Sequence, residues 1–132
     1  METKRQKSIV LILAREFASN LGMPMFVADA EGRLVFYNEP AEQIVGRTFA
    51  EAGEMSLEEW RSLLSPEALD GRPLPVEESP IRVAFDQHRP FHNRVRITGF
   101  DGTKREISST AFPLLGREQE FLGIITIFWV QR

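Results

Sequence analysis

Few residues of this 132-residue chain have the types and spacing that chemistry asks for. They are two histidines, His88 and His92, two adjacent carboxylates, Glu77 and Glu78, and three consecutive hydroxyls, Ser108, Ser109 and Thr110. A zinc centre needs about three or four close ligands, and two histidines four residues apart do not supply them. Glu77 and Glu78 stand just before Ser79-Pro80, where a helix start and solvent account for them better than a catalytic acidic pair. The three hydroxyls have no base close in sequence to activate them. The chain has no cysteine, which removes disulfides, thiolate metal sites and a cysteine nucleophile. No enzymatic activity and no metal site are expected.

Binding surfaces are the remaining place to look. The net charge of −3 argues against a nucleic-acid partner. His92, Arg94 and Arg96, with Arg105, form a basic stripe, which is expected to be a solvated face with cross-strand ion pairs such as to Glu106; the alternative is an acidic partner. The most apolar early run, residues 9–14, falls far short of the roughly 20 residues a membrane span needs. No signal peptide is visible, and a soluble, cytoplasmic protein with no membrane association is expected.

The elements that would position these residues follow from periodicity. Residues 4–21 predict a helix, with Ile9, Leu13 and Phe17 at i, i+4 spacing, Val10, Ala14 and Leu21 widening the stripe, and Lys4, Arg5, Lys7, Arg15 and Glu16 on the polar side. Gly22 and Pro24 end it. Met25 to Asp29 reads as a strand, Asp29 to Gly32 as a tight turn, and Arg33 to Tyr37 as a second strand. Asn38 is a good N-cap for a short helix carrying Ala41, Ile44 and Val45 on one face and closed by Gly46. Ser56 and Glu59 make a capping box for a helix to Leu64, with Leu57, Trp60 and Leu64 on one face. Residues 65–78 read as loop, and Ser79 and Pro80 open a helix that buries Ile81, Ala84 and Phe85.

The last third is β. Phe91, Val95 and Ile97 alternate with the basic stripe, a hairpin turn follows at residues 99–103, and residues 104–112 return. In the final strand Phe121, Ile125, Ile127 and Trp129 share one face, and Leu122, Ile124, Phe128 and Val130 the other. A strand apolar on both faces belongs mid-sheet with both faces covered. The internal helices cover one side, and the N-terminal helix is the candidate for the other.

This order of elements resembles a PAS domain over about residues 22–130. Residues 27–46, with Asp29, Gly32, Asn38, Ala41 and Gly46, look like the PAS start; residues 70–85 resemble the approach to its long helix; residues 96–114 resemble its fourth-strand region, with Gly102 in the turn; residues 123–128 look like the closing strand. The resemblance implies an α+β fold, a five-stranded antiparallel sheet with short helices on the inner face and the N-terminal amphipathic helix on the outer face. The domain reading is a cap or dimerisation helix over 1–21 and a PAS domain over 22–132. The resemblance further implies a sensory module, often dimeric through its N-terminal helix, with a small molecule between sheet and helices in many members and none in many others. The chain reads Trp129-Val130-Gln131 where signal-relaying members often carry an acidic residue followed by threonine. It is taken either as a stand-alone PAS protein or as a piece of a larger one.

Cysteinyl-flavin photochemistry is excluded by the absence of cysteine, and haem lacks a histidine in residues 76–79, where haem-binding relatives place it. His88 is read as a helix-end histidine and His92 as an outward one. The inner face is expected to carry Val27 or Phe26, Phe36, Ile44, Trp60, Phe85, Ile97, Ile107, Ser109, Ala111 and Ile125, with the small residues Ser109, Ala111 and Gly123 leaving either a cavity or tight packing. The candidate ligand contacts are Phe36, Tyr37, Asn38, Ile44, Trp60, Phe85, Ile97, Ser109 and Ile125, and a ligand there would be small and apolar or planar. The candidate dimer face is Ile9, Leu13, Phe17, Phe128 and Val130. Two functions remain open: a sensor that takes such a ligand, dimerises and regulates a signalling partner, or a ligand-free interaction module of a larger regulator such as a histidine kinase or a transcription regulator.

Overall fold

The computed structural model describes residues 2–131, with side chains from Ile9 onward; the expected polar residues Lys4, Arg5 and Lys7 lie outside the described side chains. Helix α1 (Glu2–Ser19) leads into β1 (Met25–Asp29) and β2 (Arg33–Tyr37). Then follow α2 (Glu39–Val45), α3 (Phe49–Ala52), the two-residue β3 (Met55–Ser56) and α4 (Leu57–Leu64). Helix α5 (Pro80–Gln87), β4 (Phe91–Thr98), β5 (Lys104–Leu115) and β6 (Phe121–Val130) complete the chain. The strands form one antiparallel sheet in the order β3-β2-β1-β6-β5-β4. It has six strands where five were expected, because Arg33 and Leu34 pair with Ser56 and Met55. As expected, β6 lies inside the sheet, between β1 and β5.

Local capping signals place the short helices. The Asn38 side chain accepts from the Ala41 N–H, and Gly46 ends α2 at φ +81°, a conformation that favours glycine. The capping box of Ser56 and Glu59 opens α4. Ser79 precedes Pro80 as read, but its hydroxyl makes no capping bond. The 66–74 loop doubles back along β4 through paired hydrogen bonds between Glu67 and Arg96 (2.8 and 2.9 Å), which satisfies part of an edge otherwise open to pairing.

Each face of the sheet buries its own cluster. The inner face carries Phe26, Leu34, Tyr37, Val95, Ile97, Ile107 and Phe128, packed with Ile44, Val45, Trp60 and Leu64 from the helices. The Phe26 ring sits 4.9 Å from Trp60 and 4.5 Å from Phe128. The outer face carries Met25, Val27, Ile125 and Ile127, with Phe36 and Phe112, under α1. Among the described residues no helix is long and apolar enough to cross a membrane.

Several residues change faces relative to the sequence reading. A bulge in the β1–β2 ladder places Val35 between the pairs Val27–Phe36 and Ala28–Leu34. Leu34 and Tyr37 therefore both point inward, and Phe36, expected inside, turns outward toward α1. Ile125 pairs with Val27 and Phe112 and is outer, not inner. Phe128 is 0% exposed in the inner core, and Val130 pairs with inner-facing Ile107, so neither shares a face with α1.

Helix α1 docks with its small residues inward. Ala14 and Ala18 are buried on β1, while Ile9, Ile12, Leu13 and Phe17 are 50–62% exposed. The helix lies close on the sheet: a Cβ at Gly123 would lie 3.2 Å from Leu11 Cδ2. Asn38 then ties the helix end to the sheet. Its Oδ1 also accepts from the Met25 N–H (3.0 Å), and its Nδ2 donates to the carbonyls of Ala18 (2.9 Å) and Met23 (2.8 Å).

Candidate functional site

Between the inner face and the α4–α5 layer the packing leaves a cavity of about 70 Å³. Helix α4 contributes Trp60, Arg61 and Leu64, the segment after it Pro66, Leu74 and Ser79, and the start of α5 Pro80 and Ile81. The sheet contributes Phe26, Val95, Ile97, Ile107, Ser109 and Thr126. Trp60 and Leu64 face the core four residues apart, and Arg61, one residue after Trp60, borders that buried face toward the loop. The walls are hydrocarbon apart from the Ser79, Ser109 and Thr126 hydroxyls and the Arg61 guanidinium.

Two polar atoms in these walls are buried without partners, Arg61 Nη1 and Thr126 Oγ1. Arg61 Nη2 donates to the Leu74 carbonyl, which leaves Nη1 free. Burial, and then the charge of Arg82, pushes the Arg61 pKa below its ordinary value. Thr126 lies between Ile124 and Phe128 on the inner side of β6, and its backbone pairs with Phe26 and Ala111. A buried hydroxyl or guanidinium nitrogen without a partner is unfavourable, so both atoms mark a place where a polar ligand group would be stabilised.

Three of the nine expected contacts, Trp60, Ile97 and Ser109, line the cavity. Phe36 and Ile125 are on the opposite face. Tyr37 and Ile44 belong to the inner core but stand away from the cavity walls. The Tyr37 hydroxyl donates to the Arg47 carbonyl (2.8 Å), and burial, followed by Glu42, raises its pKa to about 12. Asn38 spends its amide on the backbone bonds described above. Phe85 packs with Phe121, beside Gly32 at the β1–β2 turn. The small residues divide as well: Ser109 borders the cavity, while Ala111 packs with Ala84 and Ala28 and lets α5 approach the sheet. Arg61 and Thr126 were missed. An arginine beside a core tryptophan on an amphipathic helix was the one available signal.

The other chemically capable residues have structural partners. His88 ends α5 in the left-handed region and its ring stacks 4.1 Å from Phe121. His92 Nδ1 lies 2.6 Å from Thr110 Oγ1, and Ser108 Oγ accepts from Gln131 Nε2 (2.8 Å). Arg94 pairs with Glu106, as the stripe suggested. A shallow depression of about 500 Å³ lies over Asp70, Arg72, Glu78 and Arg94, whose charges are largely paired within the chain, Arg72 to Asp70 (2.8 Å) and to Glu78 (4.0 Å). Among the described residues no group of three or more histidine, aspartate or glutamate side chains is placed to hold a metal.

A family model described as the PAS fold matches residues 18–130. No curated protein matches the sequence. Solved structures share the architecture at low identity. The PAS domain of a Colwellia psychrerythraea protein superposes with a TM-score of 0.66 at 17% identity, covering 92% of this chain and 97% of that one. The PAS domain of nitrogen regulation protein NR(II) from Vibrio parahaemolyticus gives 0.63 at 14% identity, covering 90% and 98%. The Rhodobacter sphaeroides LOV protein gives 0.72 at 16% identity; the match covers 89% of this chain and 65% of that protein.

Proposed function

The chain belongs to the PAS fold family, and on that premise we propose that it is a sensory module that takes a small ligand in the cavity between its sheet and the α4–α5 layer. The observation that carries this reading is the Thr126 hydroxyl, buried without a partner in the cavity wall. The space holds roughly five water-sized bodies at about 10–15 Å³ each, far short of a haem or a flavin ring system. The ligand class is therefore a small, mostly apolar molecule with one or two polar groups. Strands β1 and β6 connect the site to the outer face: Phe26 and Thr126 look into the cavity, and their neighbours Met25, Val27, Ile125 and Ile127 support α1. A ligand that shifts these strands would shift the helix. Backbone amide NMR spectra with a library of small organic compounds test the reading. Shifts concentrated at Trp60, Ser109 and Thr126 support it, and a library that leaves all three unmoved refutes it.

A second reading rests on α1. Ile9, Ile12, Leu13 and Phe17 form an outward apolar stripe, which a monomer rarely leaves in water. Its occupant is a second copy of this chain, since Arg15 and Glu16 beside the stripe give it both signs of charge and make a two-fold helix pairing self-complementary. Phe128 and Val130 are not part of that surface. Because the stripe is already exposed, Leu13→Asp with Phe17→Asp should leave the fold intact and convert a dimer to a monomer on a sizing column. A wild-type protein that runs as a monomer would end this reading. A signalling partner in the cytoplasm, such as a histidine kinase or a transcription regulator, would then read the state of α1.

A further inference from the structure

We propose that the ligand of this cavity is a small apolar monocarboxylate whose carboxylate pairs with Arg61. The inference rests on the reading of the cavity as a ligand site and names the chemistry of its occupant.

Among the described residues, Arg61 is the only ionisable one in the cavity wall. One of its nitrogens is occupied by the Leu74 carbonyl, while Nη1 is buried with its hydrogens unassigned. None of the ion pairs made by the described residues includes Arg61. The nearby cation, Arg82, is itself paired with Asp86 at 2.9 Å and offers Arg61 no counter-charge. A guanidinium held partly out of water without a counterion is costly, and a carboxylate is the compact anion that its planar fork fits best. The remaining walls, chiefly Phe26, Trp60, Leu64, Ile97 and Ile107, ask for hydrocarbon. A phosphate or sulfate would set its remaining charged oxygens against those side chains, whereas a monocarboxylate turns a tail toward them. The volume limits that tail to a few carbons. Thr126 adds one hydroxyl to orient the acid or a polar substituent on it.

Trp60 lies in the wall and Trp129 on the opposite face, so Trp129→Phe leaves Trp60 as the sole tryptophan reporter. In that background, isobutyrate, its uncharged isostere isobutyramide, and cyclopentane are titrated against Trp60 fluorescence. Isobutyrate should bind roughly tenfold or more tighter than isobutyramide. Arg61→Met should lose isobutyrate to a similar extent and keep cyclopentane, with its circular dichroism unchanged. Arg61→Lys retains the charge and should fall between them, and it serves as the test if the methionine variant does not fold. Isobutyramide binding as well as isobutyrate, or a folded Arg61 variant that keeps full isobutyrate affinity, overturns the carboxylate assignment and leaves a neutral-ligand cavity. Silence of Trp60 to all three compounds overturns the cavity reading as well.

Discussion

Asn38→Ala should destabilise the protein by about 3–5 kcal/mol. The amide accepts from Met25 N–H (3.0 Å) and Ala41 N–H (3.2 Å) and donates to Ala18 O (2.9 Å) and Met23 O (2.8 Å). Loss of the α2 cap alone is worth about 1 kcal/mol. The other three backbone groups lose their partner around a residue that is 1% exposed, at about 1 kcal/mol each and more for any that water does not reach. That sum is a large fraction of the roughly 5–15 kcal/mol that holds a domain of this size. Urea unfolding followed by tryptophan fluorescence reads it directly. At a slope of about 2 kcal/mol per molar urea, the midpoint should fall by roughly 2 M with the slope unchanged. Asn38→Asp separates capping from donation. The carboxylate still accepts from Met25 and Ala41 but presents lone pairs to two carbonyls, so its folded-state pKa should rise above the unfolded value. Its stability is then greatest below the unfolded carboxylate pKa and is lost as pH rises through the folded one. An Asn38→Ala variant within about 1 kcal/mol of wild type would refute the reasoning and leave Asn38 as a cap alone, with α1 held by apolar contact only.

Gly123→Ala should cost at least about 2 kcal/mol, because the new Cβ would meet the Ala28 carbonyl at 2.5 Å and backbone cannot give way as a side-chain tip can; an unchanged melting temperature would contradict the close approach of β6 to β1 at this position. Tyr37 should titrate near 12 rather than at its ordinary 10.0, read from phenolate absorbance. Because its folded-state pKa is raised, the associated stability is fully present below about pH 10 and is lost as pH rises through 12, a loss that Tyr37→Phe should abolish. At the other end of the scale, the Thr103 N–H, then Arg105, holds the Asp101 carboxyl below the usual carboxylate range. Its contribution is present above the unfolded pKa and lost as pH falls through the folded one, so Asp101→Asn should flatten the acid side of the stability profile.

The family and the order of elements were legible in the sequence because their signals are local. A capping box spans Ser56 to Glu59, a tight turn spans Asp29 to Gly32, and a two-faced apolar strand runs from residue 121 to 130. Each is set by backbone sterics and hydrogen bonds among neighbouring residues, which residue types report directly. The cross-strand pair of Arg94 and Glu106 was legible for the same reason, since one hairpin turn fixes its register.

What the tertiary structure decided depends on chain far away in sequence. Strict alternation sends Phe36 inward, and a single bulge against β1 reverses it. The periodicity of residues 4–21 announces an apolar stripe, yet α1 packs its alanine side, Ala14 and Ala18, with Met25, Val27 and Ile125 and leaves Leu13 and Phe17 outside. Arg61 reads as an ordinary charged residue until Leu74 occupies one of its nitrogens and the core closes over another. Amino-acid types along the chain determined which elements form, because propensity and capping act within a few residues. Which side chains face one another, and which polar atom is left without a partner, was decided only when segments tens of residues apart packed to the density of a protein interior.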